Sequence, residues 1–245
     1  SQVVANVQKE GGIAAWIDTE LSWDPNWVEK CGIDCSQVMV AQPTNGEEVM
    51  DTARELMKAG VDVIVLDSIA GIVPTAVQNE DFSYSPIAWQ ARFINSALPK
   101  LLPNLKHGSA FIAINQVRSS MGPVALDAMP GGMAQSFFAH FLLQVRRNGW
   151  IKEGNDNVGF DMEVRLRKSK VGGENWRSAT VPFRVEGGID VLESFIREGV
   201  NRRLITQAGP WYTYGEQKVM GLNGVKKFFL ENSKAFDELK NELTA

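Results

Sequence analysis

The chain opens as an alternation of amphipathic stretches and short apolar runs. Gln2 to Glu10 carries Val3, Val4 and Val7 at helical spacing and stops at Gly11-Gly12, a helix with a glycine terminator. Ile13 to Ile17 is a short strand closed by Asp18-Thr19-Glu20. Asp24-Pro25 starts a helix running to about Lys30, with aspartate as N-cap and proline in the first turn. Val38 to Val40 predicts another strand. Asn45, with Glu48 three residues on, opens a helix that ends near Ala59 at Gly60. Val61 to Leu66 is then a largely β-branched run, interrupted only by Asp62 and closed by Asp67-Ser68. Such runs suit strands buried on both faces, and connections of helical length imply parallel strands joined by right-handed crossovers.

Beyond Ser68 the pattern predicts a polar segment over Thr75–Pro86 and a long helix from about Ile87 to Lys106, bent or interrupted at Pro99 and Pro103. A fourth buried strand, Ser109 to Ile114, ends in Asn115-Gln116, and a loop follows from Val117 to Gly132. That loop is long enough to be either functional or disordered. Phe141–Arg147, Val158–Lys168 and Trp176–Val185 alternate as antiparallel strands, with turns expected at Asn148-Gly149 and Gly172-Gly173. From about Asp190 the chain turns helical again around Trp211–Tyr214. The expected fold class is α/β: a mostly parallel twisted sheet flanked by helices over residues 1–189, an antiparallel extension, and a small C-terminal α+β domain over 190–245.

Composition removes several classes of function. The 245 residues are 44% hydrophobic with a net charge of −4, enough for a sizeable core but not for nucleic-acid binding by bulk charge. No apolar run approaches the ~18 residues of a membrane helix. The two cysteines, Cys31 and Cys35, are too few for a disulfide framework and have no histidine beside them, which disfavours a zinc site. Free thiols without a signal-peptide pattern point to the cytoplasm.

Chemistry concentrates at strand ends. Three apolar strands finish in Glu20, Asp67 and Gln116, and parallel neighbours would place all three on the carboxyl rim where open α/β sheets bind ligands. One strand-end acid is ordinarily a turn cap. An acid for Mg²⁺, a second acid to activate water and an amide to sense a terminal phosphate form the set that nucleotide hydrolysis needs.

Asp18-Thr19-Glu20 with Asp24-Pro25, the Val61–Ser68 run, Ile114-Asn-Gln116-Val-Arg118, Gly131-Gly132, Lys168-Ser-Lys170 and Ala208-Gly-Pro-Trp211-Tyr-Thr-Tyr214 together resemble bacterial RecA recombinases. The resemblance runs from Gln2 nearly to the last residue. It implies an ATP- and Mg²⁺-dependent, DNA-stimulated ATPase that assembles into filaments on single-stranded DNA, pairs it with double-stranded DNA, and serves recombination, repair and the SOS response to DNA damage. Glu20 then matches the general base, Asp67 with Ser68 the Walker B end near Mg²⁺, and Gln116 the amide that reads the γ-phosphate. Asp24 and Trp27 match adenine-side contacts. Lys168 and Lys170 match a pair reaching into the neighbouring subunit's ATP, and Phe137 an aromatic at that interface. The DNA face would comprise the loop near Asp81–Trp89 and the loop Val117–Gly132, with Arg92, Arg118, Ser119, Ser120, Gly131 and Gly132 as contacts. Taken alone, Arg92 is as readily a solvated surface charge, and Gly131-Gly132 a hinge.

Departures matter too. No G-x-x-x-x-G-K-[ST] phosphate loop occurs in these residues, and in the family that loop comes just before the helix that starts here at Gln2. The chain opens at Ser1 within a helical pattern, so a preceding segment is expected. Pro99 stands where the family usually places a phosphate-contacting arginine. The 245 residues alone are therefore expected to bind ATP poorly and hydrolyse it negligibly. The alternative is a RecA-like module that binds DNA or a partner and performs no chemistry.

Overall fold

The structure is a computed structural model and describes residues 1–78, 87–106, 108–119, 127–172 and 176–244. The chain divides into two compact units, Ser1–Leu142 with Lys168–Gly173 and Leu143–Arg167 with Glu174–Ala245. The boundary expected after Ile189 lies inside the second.

The first unit contains, in order, α1 (Gln2–Lys9), β1 (Ala14–Asp18), α2 (Pro25–Lys30), β2 (Val38–Ala41), α3 (Gly46–Ala59), β3 (Val63–Asp67), α4 (Thr75–Gln78), α5 (Ile87–Leu101), β4 (Ala110–Ala113), the short strands β5 (Arg118–Ser119) and β6 (Asp127–Ala128), and α6 (Ala134–Phe138). Local chemistry explains the helix ends. Asp24 caps α2 by accepting from the Asn26 N–H at 3.0 Å. Asn45 caps α3 through the Glu48 N–H at 2.9 Å, and Gly60 ends it with φ of 80°.

The main sheet has the order β2-β1-β3-β4, all parallel, with Ile17 level with Leu66 and Leu66 level with Ala113. Alternate residues of β1 and β3 feed two cores. Ala15, Ile17, Ile64 and Leu66 pack with α3 and α5, while Ala14, Trp16, Val63 and Val65 pack with α1 and α2. Two-sided burial is why these strands read as unbroken apolar runs. The chain leaves β1 toward β2 on one side and returns to β3 on the other, so the strand order reverses between β1 and β3. That reversal opens a crevice at the carboxyl ends of these strands.

Two expectations change in the structure. The strand expected to be fully buried, β4, lies at the sheet edge with Ala110 and Ala113 exposed. The turn expected at Asn148-Gly149 is instead continuous strand within β7 (Phe141–Glu153), and the chain reverses at Gly154, whose φ of 62° suits a tight turn, whereas Gly149 is not left-handed.

The second unit holds most of β7 and β8 (Asp156–Ser169), with β9 (Ser178–Arg184) and β10 (Gly188–Ile189), in the order β10-β9-β8-β7. Then come α7 (Val191–Asn201), the antiparallel strands β11 (Thr206–Ala208), β12 (Trp211–Tyr214) and β13 (Gln217–Met220), and helices α8 (Gly221–Glu231) and α9 (Ser233–Thr244). Ile196, Ile205, Val225, Phe229, Leu239 and Leu243 form its core. Beside that core Glu193 is fully buried and paired with Arg184 at 2.6 Å, Arg197 at 2.5 Å and Lys226 at 2.5 Å.

Candidate nucleotide site on the sheet rim

The crevice between β1 and β3 is built by cross-links between the two strand ends. The Thr19 N–H donates to the Asp67 carbonyl at 2.8 Å. Thr19 Oγ1 donates to the Ser68 carbonyl at 2.7 Å and accepts from the Ser68 N–H at 2.8 Å. The Asp67–Ser68 peptide is cis. Gly71 packs so close to Thr19 that an added Cβ would fall 2.5 Å from its Oγ1, so the turn after β3 tolerates no side chain there.

Asp18 anchors the other half of the rim. It is fully buried, and its carboxylate accepts from the backbone N–H of Glu20, Ser22 and Trp23 and from Gln42 Nε2, at 3.0 to 3.2 Å. Burial pushes this carboxyl up, but the hydrogen bonds from Gln42, Ser22, Trp23 and Glu20 outweigh it and hold it below its ordinary value. The loop carrying Glu20 is thereby fixed by a charge that the loop itself neutralises.

Glu20, Ser68 and Gln116 then meet. Ser68 Oγ donates to Glu20 Oε1, and Gln116 Nε2 donates to the same oxygen at 3.4 Å. Glu20 is exposed at the rim, Ser68 is buried beneath it, and Asp67 is half-buried beside them. Burial, followed by the charges of Glu20 and Asp18, pushes the Asp67 carboxyl above its ordinary value. Carboxylates crowded in this way gain from a cation. Among the described residues no group of three or more acidic, histidine or cysteine side chains is arranged to hold a metal ion by itself.

The other expected site residues lie as follows. Asp24 uses one carboxylate oxygen as the cap of α2, and Trp27 is half-buried against the α1/α2 core. Lys168 Nζ donates to the Ser136 carbonyl at 2.5 Å and to that of Phe137 at 3.0 Å, and Lys170 Nζ to that of Phe138 at 3.3 Å. Both lysines thus sit on the carboxyl end of α6, the cationic complement of a helix C-terminus. Burial and the neighbouring Lys170 charge lower the Lys168 ammonium. Phe137, on the same helix, is 68% exposed.

Arg92 is exposed on α5, with its guanidinium 5.7 Å from the Trp89 ring centroid. Arg118 and Ser119 form β5, paired antiparallel with β6, so the base of the 117–132 segment is a two-stranded ribbon. Ser120 and residues 81–86 of the first loop lie outside the described residues. Gly131 and Gly132 have φ of 80° and 74°, and added Cβ atoms would come within 3.0 Å of Ile69 and 3.1 Å of Ala91. Left-handed backbone and close approach to the core both require glycine here.

The sequence pattern alone gives no role to Asp18, Thr19, Asn115 or Gln135. For Asp18 a signal existed: an acid directly after a buried strand, two residues before Glu20. For Gln135 there was none.

The chain is similar to known proteins over nearly all of its length. The family described as RecA N-terminal domain matches residues 1–190. The protein named RecA from Nocardia farcinica is 36% identical over 98% of this chain and 70% of its own length. The protein of the same name from Aquifex aeolicus is 35% identical over 98% of this chain and 71% of its own. A crystal structure of the RadB recombinase superposes with a TM-score of 0.50 at 18% identity, covering 74% of this chain and 79% of that one, a likeness of fold.

Proposed function

Since the chain belongs to the RecA family, we propose that it works as an ATP-dependent DNA recombinase, forming filaments on single-stranded DNA and exchanging strands with a duplex. The observation that carries this reading is the convergence of Ser68 and Gln116 on one oxygen of Glu20, next to a carboxylate with a raised pKa. In this role Glu20 takes a proton from the attacking water. Its other carboxylate oxygen is left for that water, because Ser68 and Gln116 both engage Oε1. Asp67 would hold Mg²⁺, which would supply positive charge against the transferred phosphoryl group. Gln116 exchanges its bond to Glu20 for one to the terminal phosphate, and that exchange reports occupancy to the segment that follows it. Lys168 and Lys170 leave the α6 carbonyls to neutralise phosphate charge in the adjoining subunit's site. Arg92, Arg118, Ser119, Ser120 and the Gly131-Gly132 backbone line the DNA path.

The phosphate cradle is not among these residues, so the test supplies one. ATP turnover is measured, with and without single-stranded DNA, for the 245-residue chain and for the same chain preceded by a relative's G-x-x-x-x-G-K-[ST] segment. The extended chain is expected to hydrolyse ATP in a DNA-dependent manner, and Glu20→Gln to lower that turnover by about 10²-fold or more. An extended chain that binds DNA but turns over no ATP would leave the inert binding module as the function.

A further inference from the structure

Gln116 is the residue through which nucleotide state would reach the 117–132 segment, yet among the described residues its side chain bonds only Glu20, on the nucleotide side. The physical connection runs through its neighbour. Asn115 Oδ1 accepts from the Gln116 N–H at 2.9 Å, while Asn115 Nδ2 donates to the Pro130 carbonyl and to Gln135 Oε1, both at 2.8 Å. Gln135 Nε2 in turn donates to the Pro130 carbonyl at 2.6 Å and to the Gly132 carbonyl at 2.9 Å. Both NH₂ groups have two acceptors, and both amide oxygens are used. Gln135 also lies in the first turn of α6, whose last carbonyls hold Lys168 and Lys170.

We propose that Gln135 is a positioning residue that ties the end of β4 to the last residues of the 117–132 segment, so that a shift of Gln116 displaces Pro130–Gly132 and α6 together. The proposal rests on the roles given above to Gln116 and to that segment. It follows from completeness: the Asn115 oxygen holds the Gln116 N–H while its NH₂ group holds Pro130 and Gln135, so Gln116 cannot carry its backbone N–H away from Asn115 without either losing that bond or moving the ring of amides that Gln135 closes. Leucine at 135 would fill a similar volume and open the ring. Glutamate would keep the acceptor for Asn115 but lose both donations to carbonyls.

The test is amide hydrogen–deuterium exchange on the 245-residue chain, comparing the parent, Gln135→Leu and Gln135→Glu, with and without an oligothymidine. Gln135→Leu is expected to speed exchange at Gln116 and at residues 131–135 by at least about tenfold, while the amides of α3 stay as protected as in the parent. Gln135→Glu should speed exchange at 131–135 and leave Gln116 protected, a split that general loss of stability would not produce. Oligothymidine should slow exchange at Gln116 in the parent and have no such effect in Gln135→Leu. Parent-like exchange at Gln116 and 131–135 in both variants overturns the proposal. An oligothymidine without effect on the parent would count against the DNA reading of the segment, and the variant comparison would still decide the role of Gln135.

Discussion

Asp18 provides the sharpest test of how the rim is built. Asp18→Asn keeps the shape of the side chain and removes its charge. If the asparagine keeps its oxygen toward Glu20 and Ser22, its NH₂ faces the Trp23 N–H and Gln42 Nε2, two donors that now meet a donor. Gln42 can rotate its amide and accept, but the backbone N–H of Trp23 cannot. One buried donor is then orphaned and three charge-assisted bonds become neutral ones, a loss of about 2–4 kcal/mol. Urea unfolding should show a lower midpoint at unchanged slope, and exchange at the Ser22 and Trp23 amides should quicken. Asp34 makes a comparable set of local bonds in the open, to the Ser36 N–H, Ser36 Oγ and Gln37 Nε2, so Asp34→Asn should cost distinctly less. The acid dependence has a definite sign. Because the Asp18 carboxyl is held below its ordinary 3.8, its contribution is present above that value and fades as pH falls beneath it. An Asp18→Asn variant within about 0.5 kcal/mol of the parent would refute this account of the rim.

Two further predictions follow from charge. Burial pushes the Glu193 carboxyl up, but Lys226, Arg184 and Arg197 pull it from 4.5 to about 2, so about 3 kcal/mol present at neutral pH should be lost as pH falls through that interval. Glu193→Gln should abolish this dependence in the second unit, read by circular dichroism during acid titration, and an unchanged titration would remove Glu193 as its source. Asp67 has the opposite sign: its raised carboxyl favours the folded state at low pH and disfavours it once ionised. Asp67→Asn should therefore not lower stability above neutral pH, in contrast to Asp18→Asn, while weakening Mg²⁺-nucleotide binding in the chain extended by a phosphate loop. A marked drop in the urea midpoint would show Asp67 to be structural.

Elements specified by a few adjacent residues were legible in the chain itself. The Asp24 and Asn45 caps, the left-handed Gly60, and the two-sided apolar runs of β1 and β3 each follow from local sterics and hydrogen bonding, so α2, α3 and both strands fell where the residues placed them. The chemical types at the strand ends, Glu20, Asp67 and Gln116, were legible for the same reason. Their meeting was not. Ser68 and Glu20 stand 48 positions apart, and Gln116 and Glu20 stand 96 apart, so only the strand order and register bring them to one oxygen. The same holds for β4, whose apolar run could not reveal that it lies at an edge, and for β7, where continued pairing overrides the turn preference of Asn148-Gly149. Gln135 and Glu193 look like surface residues in the chain, and each becomes a hub only where distant backbone or cations converge on it. Local preference writes the elements, because it acts over a few bonds. The site belongs to the tertiary structure, because a hydrogen bond between distant residues exists only once the sheet has set their separation.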